Sequence, residues 1–272
     1  MAVNEDAGEG GRGRSKRKPI LTASFLLSGI LPAVLIIVLI AWLLSEVDWS
    51  FINTLDFSVI YEYRIALLQG LLNTFLITTF SVLLGLGLGL LFACLLYVPF
   101  TPLRWLILAY VEVLRDIPLV VALFWIHFAL PLVTGISTTA FQSGFIAMAL
   151  QSSAYLADVV RAGIQAVPKG QWDAADAIGL SRSWKWFEII LPQALKIIIP
   201  PLANVALGYF KASSILALLS VGELMSVAAR VSSYSFKPIE TFTTVAVIYL
   251  GLGYFLSSLT YRLERVVKHS RA

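Results

Sequence analysis

Long apolar runs recur along most of this chain, and they constrain its fold more than any motif does. A run of about 20 apolar residues crosses a hydrocarbon layer roughly 30 Å thick as a helix, and only helices and closed barrels satisfy every backbone polar group there. These runs are rich in leucine, glycine and alanine and lack the two-residue alternation of a membrane barrel, so they read as helices. Composition agrees. Hydrophobic residues make up 58% and charged residues 13%, with a mean hydropathy of +0.85; a soluble domain has roughly 45–50% and about 25%. The expected fold is an all-α integral membrane protein with about six transmembrane helices.

The charges that remain flank the spans. Residues 1–19 are polar, Gly-rich and end in Arg12, Arg14, Lys16, Arg17 and Lys18, which reads as a disordered tail holding the first span's start inside. The run from Ile20 to Leu44 is too long for a signal-peptide core and lacks a small-x-small cleavage site, so it reads as a span. Residues 46–63 carry acidic and aromatic side chains, suiting an outside loop. Later spans are expected from about Arg64 to Val98, Arg104 to Pro131, Ser143 to Val160, after Pro192, and from Ile239 to Tyr261. With six spans, Arg104, Arg161, Lys169, Arg182, Lys185, Lys196 and the basic C-terminal residues fall inside, placing both termini in the cytoplasm. The sequence pI near 9.2 reflects this flanking charge and does not point to nucleic acid. The lone Cys94 gives neither a disulfide nor a metal-ligand spacing.

Several polar residues interrupt the spans. Gly85, Gly87 and Gly89 follow no strand and precede no lysine, so they do not form a nucleotide loop; Gly85 and Gly89 make a G-x-x-x-G pair for close helix approach. Glu112, Arg115 and Asp116 lie in the third span, where ionisable groups pair with one another or face a water-filled cavity; either a packing pair or a solute contact fits. His127 reads as a packed or interfacial residue. Gln151, Tyr155 and Asp158 share one face of the fourth span, as a pathway or a polar packing seam. Pro200 and Pro201 should kink or break the fifth span. Lys211, Ser213, Ser214 and Glu223 fall in a segment with apolar runs too short to span cleanly, expected to be re-entrant or cavity-lining.

Residues 167–192 form a polar and charged interruption between long apolar runs. Pro168 and Gly170 open a short helix and Gly179 closes it. Its alanines permit deep seating in a groove, with Trp172 and Ile178 as apolar anchors and two aspartates to meet cations. The stretch resembles the conserved cytoplasmic loop of ABC importer permeases: Asp173-Ala174-Ala175, three residues, Gly179, nine residues, then Ile189, Leu191 and Pro192. The flanks are similar to the polar amino acid uptake subfamily. Departures are Asp173 for glutamate, Asp116 where the third-span motif has glycine, Ala212-Ser213-Ser214 in the segment after Lys211, and Asp158 for glutamate.

The resemblance implies a five-helix importer-permease core plus one extra N-terminal span. The layout would be a basic cytoplasmic tail (1–19), the extra helix (20–45), an extracytoplasmic loop (46–63), the permease domain (64–262) with its coupling loop (164–188), and a cytoplasmic tail (263–272). Trp172, Asp173, Ala174, Ala175, Asp176, Gly179, Leu191 and Pro192 would form the ATPase-coupling interface. Candidate pathway residues are Arg115, Asp116, Gln151, Tyr155, Asp158, Lys211, Ser213, Ser214 and Glu223. Implied partners are an ABC ATPase dimer, a second copy or a related permease, an extracytoplasmic solute-binding protein and membrane lipid. No G-x-x-x-x-G-K-[ST] occurs, so ATP and Mg2+ belong to the ATPase and the chain is not expected to be an enzyme. The implied activity is ATP-driven import of an amino acid or a similar solute across the bacterial cytoplasmic membrane. An osmolyte or amino-acid derivative, or an energy-independent channel or carrier, are the other readings.

Overall fold

The computed structural model describes residues 23–269. The tail expected over 1–19 and the end of the tail expected over 263–272 lie outside the described residues. All regular structure among the described residues is helical. The chain divides into two units, residues 1–55 and 56–272.

The first unit holds α1 (Ala23–Ser45), with described apolar side chains such as Leu35 and Ile37 exposed, as a helix facing lipid requires. A 3-10 turn follows (Trp49–Thr54), capped by Asp48, whose carboxylate accepts the Ser50 N–H at 2.9 Å.

The second unit begins with α2 (Ser58–Glu62) and α3 (Arg64–Leu95). Then come α4 (Thr101–Asp116), α5 (Leu119–Phe124), a π-helical turn (Trp125–Ala129), α6 (Leu130–Thr134) and α7 (Ala140–Gln165). The polar interruption contains α8 (Lys169–Ala177) and α9 (Arg182–Trp184). A π-helical turn (Lys185–Ile190) leads into α10 (Leu191–Ala212), a 3-10 segment (Ser213–Leu219), α11 (Leu224–Ser235) and α12 (Pro238–His269). Three stretches among the described residues are long and apolar enough to cross a membrane, or five if two bent pairs each count as one span. Helix α7 is not among these stretches because polar residues such as Gln151, Ser152 and Ser153 interrupt it; it packs on α3, α4, α5 and α10, so protein buries those residues.

Glycine sets the tightest of these contacts. A Cβ on Gly85 would lie 2.0 Å from Ser152 Oγ, and one on Gly89 would lie 2.9 Å from the Ser153 carbonyl oxygen and the Ala157 nitrogen. The G-x-x-x-G pair therefore lets α3 approach the backbone of α7. Gly163 does the same for α7 and α10, where a Cβ would meet Ile198 Cγ1 at 2.2 Å.

Two expectations about breaks are corrected. The third span is not continuous from Arg104 to Pro131: α4 and α5 meet at 106°. Pro118 lacks an N–H and forces Ile117 out of the helical region, to ψ 127°. The fifth span, conversely, does not break at Pro200 and Pro201; α10 runs through both. Membrane helices tolerate proline where neighbours re-satisfy the freed backbone, and α10 is flanked by α7 and α12. Its irregular turns lie at its two ends instead.

Candidate functional site

The polar interruption folds as a capped helix tied to its own chain. Gly179, at φ +71°, ends α8: the Leu180 N–H donates to the Ala175 carbonyl at 3.1 Å and the Gly179 N–H to the Asp176 carbonyl at 3.0 Å. This paired bonding needs the left-handed conformation that glycine adopts without steric cost. Ala175 is buried, while Asp173, Ala174, Asp176, Ala177 and Ile178 are exposed.

Trp172 departs from the sequence reading of an outward anchor. It is half-buried and meets Trp186 edge to face, centroids 5.3 Å apart. Lys185 reaches Asp176 as an ion pair and lies 6.0 Å from the Trp172 ring centre. Trp172, Asp176, Lys185 and Trp186 thus fasten α8 to the π-helical turn ahead of α10, and the outward surface is left to Asp173, Ala174, Ala177 and Ile178. Trp184 and Phe187, also exposed, were not singled out from sequence; the aromatic cluster W-K-W-F was the available signal. Leu191 and Pro192 open α10, with Leu191 facing an apolar cavity of about 550 Å3 between α3, α7 and α10.

Inside the membrane region the expected polar stripe on α7 forms one network. Asp158 accepts from two arginines, Arg115 Nη1 at 2.9 Å and Arg161 Nη2 at 2.7 Å. The Tyr155 hydroxyl donates to the Arg115 carbonyl at 3.0 Å, and Arg115 lies 5.7 Å from the Tyr155 ring centre. Gln151 Nε2 donates to the Ile117 carbonyl at 2.6 Å and Gln151 Oε1 accepts from Tyr209 at 3.2 Å. The stripe therefore satisfies the carbonyls exposed where Pro118 ends α4. Asp116 is exposed and is not the partner of Arg115, whose Nε is buried without a hydrogen-bond partner. Gln151 and Tyr155 also line an open cavity of about 390 Å3 with Asn204, Gly208 and Tyr209 of α10. Those α10 residues were missed from sequence, although Asn204 and Gly208 are four apart and so share one helical face, with Val205 and Tyr209 forming the adjoining four-residue row.

The remaining candidates stand apart. Ser213 and Ser214 donate to the carbonyls of Phe210 and Lys211 within their own turn. Lys211 is exposed and its side chain passes over Gly253 of α12. Glu223 is fully buried and caps α11, accepting from Met225 N–H at 2.8 Å, Ser226 N–H at 2.6 Å and the Tyr249 hydroxyl at 3.3 Å.

Comparisons with known proteins agree on one family. The sequence model described as "Binding-protein-dependent transport system inner membrane component" matches residues 85–269. The probable glutamine ABC transporter permease protein GlnM of Bacillus subtilis (strain 168) is 37% identical, covering 79% of this chain and 100% of that one. The arginine transport system permease protein ArtQ of the same organism is 32% identical, covering 79% and 98%. Among solved structures, one described as "Crystal structure of an amino acid ABC transporter with histidines" superposes with a TM-score of 0.74 at 32% identity, covering 78% of this chain and 98% of that one.

Proposed function

The chain belongs to the binding-protein-dependent transport system inner membrane components, and we propose that it moves an amino acid or amino-acid-like solute into the cell by ATP-driven alternating access. Its relatives are amino acid ABC transporter permeases, and it is a multi-pass membrane protein of that kind. In the proposed assembly both termini are cytoplasmic, the layout is that of residues 1–19, 20–45, 46–63, 64–262 and 263–272 given above, and ATP with Mg2+ is held by a separate ATPase dimer. A second copy or a related permease completes the pathway, and a solute-binding protein supplies solute from outside.

The observation that carries the mechanism is the attachment of α8 to α10. Ala174 and Ala177, flanked by Asp173 and the exposed Ile178, present a surface that a groove on the ATPase would receive. Because Trp172 and Asp176 fasten α8 to Trp186 and Lys185, and the run from Arg182 to Leu219 is a single helical path 38 residues long, displacement of α8 is delivered to α10 as a rigid rod. That rod forms one wall of the cavity whose other wall is Gln151 and Tyr155 of α7. Alternating access requires rigid elements rocking about a site of this kind. The exposed carboxylate of Asp116 and the unused Nε donor of Arg115 would suit the two charges of a zwitterion once the walls part.

The test is uptake into vesicles carrying the chain with the ATPase and binding protein that co-purify with it. ATP-dependent accumulation of an amino acid is expected. ATP-independent equilibration would support a channel or carrier instead, and failure of every amino-acid-like solute to bind the co-purifying binding protein would overturn the solute class.

A further inference from the structure

A polar cavity of about 300 Å3 opens where α3 leaves the apolar layer, between the α3–α4 connection and the end of α7. Arg104, Arg161, Gln165 and Tyr97 line it with the apolar Leu96 and Leu108, and no acidic side chain does. Arg104 has no ion-pair partner among the described residues. Arg161 shares Asp158 with Arg115, so two guanidiniums face one carboxylate and a positive charge is left over. The cavity thus holds one unpaired positive charge, that of Arg104, and a share of a second through Arg161, with amide and hydroxyl groups beside them. Its position is fixed independently: the spanning part of α3 ends at Leu95, and Phe100, Trp105 and Leu106 on the adjoining stretch are strongly exposed, as aromatic and apolar residues are at the edge of a bilayer.

We infer that this cavity binds the phosphodiester headgroup of an anionic phospholipid, Arg104 and Arg161 holding the phosphate while the glycerol end rests on Leu96 and Leu108. Guanidinium forks match phosphate oxygens in geometry as well as charge, and basic pockets between membrane helices on the cytoplasmic side take such headgroups. Placing the site in the cytoplasmic leaflet rests on the importer reading. The headgroup would sit beside Asp158 and next to Tyr97, whose ring meets Trp186 at 5.5 Å, so the lipid would brace both the arginine network and the seat of α8.

The full chain, with the subunits that accompany it, would be placed in discs of mixed phosphatidylcholine and phosphatidylglycerol and the lipids retained on extraction measured by native mass spectrometry. Preferential retention of phosphatidylglycerol is expected, falling about five-fold in Arg104→Gln and recovering in Arg104→Lys. An unchanged ratio in Arg104→Gln would overturn the site. Displacement of the lipid by inorganic phosphate alone would assign the pocket to a free anion, and loss of the ATPase from Arg104→Gln at an unchanged lipid ratio would assign it to that subunit; either overturns the lipid. Both leaflets of the disc carry the same lipid, so the result is independent of orientation and of whether the chain transports.

Discussion

Among the described residues Asp158 is the carboxylate that pairs with both Arg115 and Arg161, and its removal would leave two cations facing each other across α4 and α7. Asp158→Asn is expected to destabilise the solubilised protein by about 1.5 kcal/mol, the lower end for a bond to a charged group, because Arg115 keeps 38% and Asp158 26% of its side-chain surface. Thermal unfolding in detergent checks this. A second residue-scale outcome concerns pH. Asp56 pairs with Lys237, and its backbone N–H donates to Glu240 at 2.9 Å, joining the start of the second unit to α12. The Lys237 hydrogen bond, helped by Ser58, holds the Asp56 carboxyl well below its usual range, and Asp56 raises Lys237 in turn. A depressed carboxyl stabilises fully above its unfolded value, about pH 4, and loses that contribution as pH falls toward the folded value; the raised lysine loses its share only at strongly alkaline pH. The clasp is therefore intact at neutral pH, and the melting temperature of the wild type should fall more steeply below about pH 4 than that of Asp56→Asn. The sequence showed that Arg115 needed a partner but not which, since Asp116 is adjacent and Asp158 lies 43 residues on; only the register of α4 against α7 decides between them.

Among the elements, the α3–α7 contact gives an internally controlled test. Gly87 has nothing within 4 Å of an added Cβ, whereas Gly89 would meet backbone at 2.9 Å. Gly89→Val should cost about 1–3 kcal/mol by overpacking, and Gly87→Val should be close to neutral, as measured by unfolding and by yield of folded protein. The G-x-x-x-G spacing was legible because close backbone approach admits few residue types. The cap at Gly179 was legible for a similar reason: few residues accept φ +71°. Proline was a poorer guide. Pro118 breaks its span and Pro200 and Pro201 do not, because the outcome depends on what surrounds the freed carbonyls, which one chain's local sequence does not encode. Trp172 turned inward for the same kind of reason: its partner Trp186 lies on a later turn, so only the folded loop reveals which of Trp172 and Ile178 is left exposed.

For the whole molecule, the proposed coupling runs from the outward face of α8 through the helical path of Arg182 to Leu219 to the cavity wall formed by α10. Each joint has a separate failure. Trp186→Ala should loosen α8 from α10, leaving the ATPase bound but uptake reduced, whereas disruption of α8 itself should remove the ATPase altogether. Gly179→Asp places at φ +71° a residue that tolerates the left-handed region better than most, so α8 should keep its cap, and adds a carboxylate to the surface proposed to dock on the ATPase. The most direct test is affinity purification of the tagged chain from membranes, with the co-purifying ATPase quantified for wild type and for Gly179→Asp. The account predicts that the ATPase is lost from the variant while the permease remains folded; an equal amount of ATPase on both would contradict it.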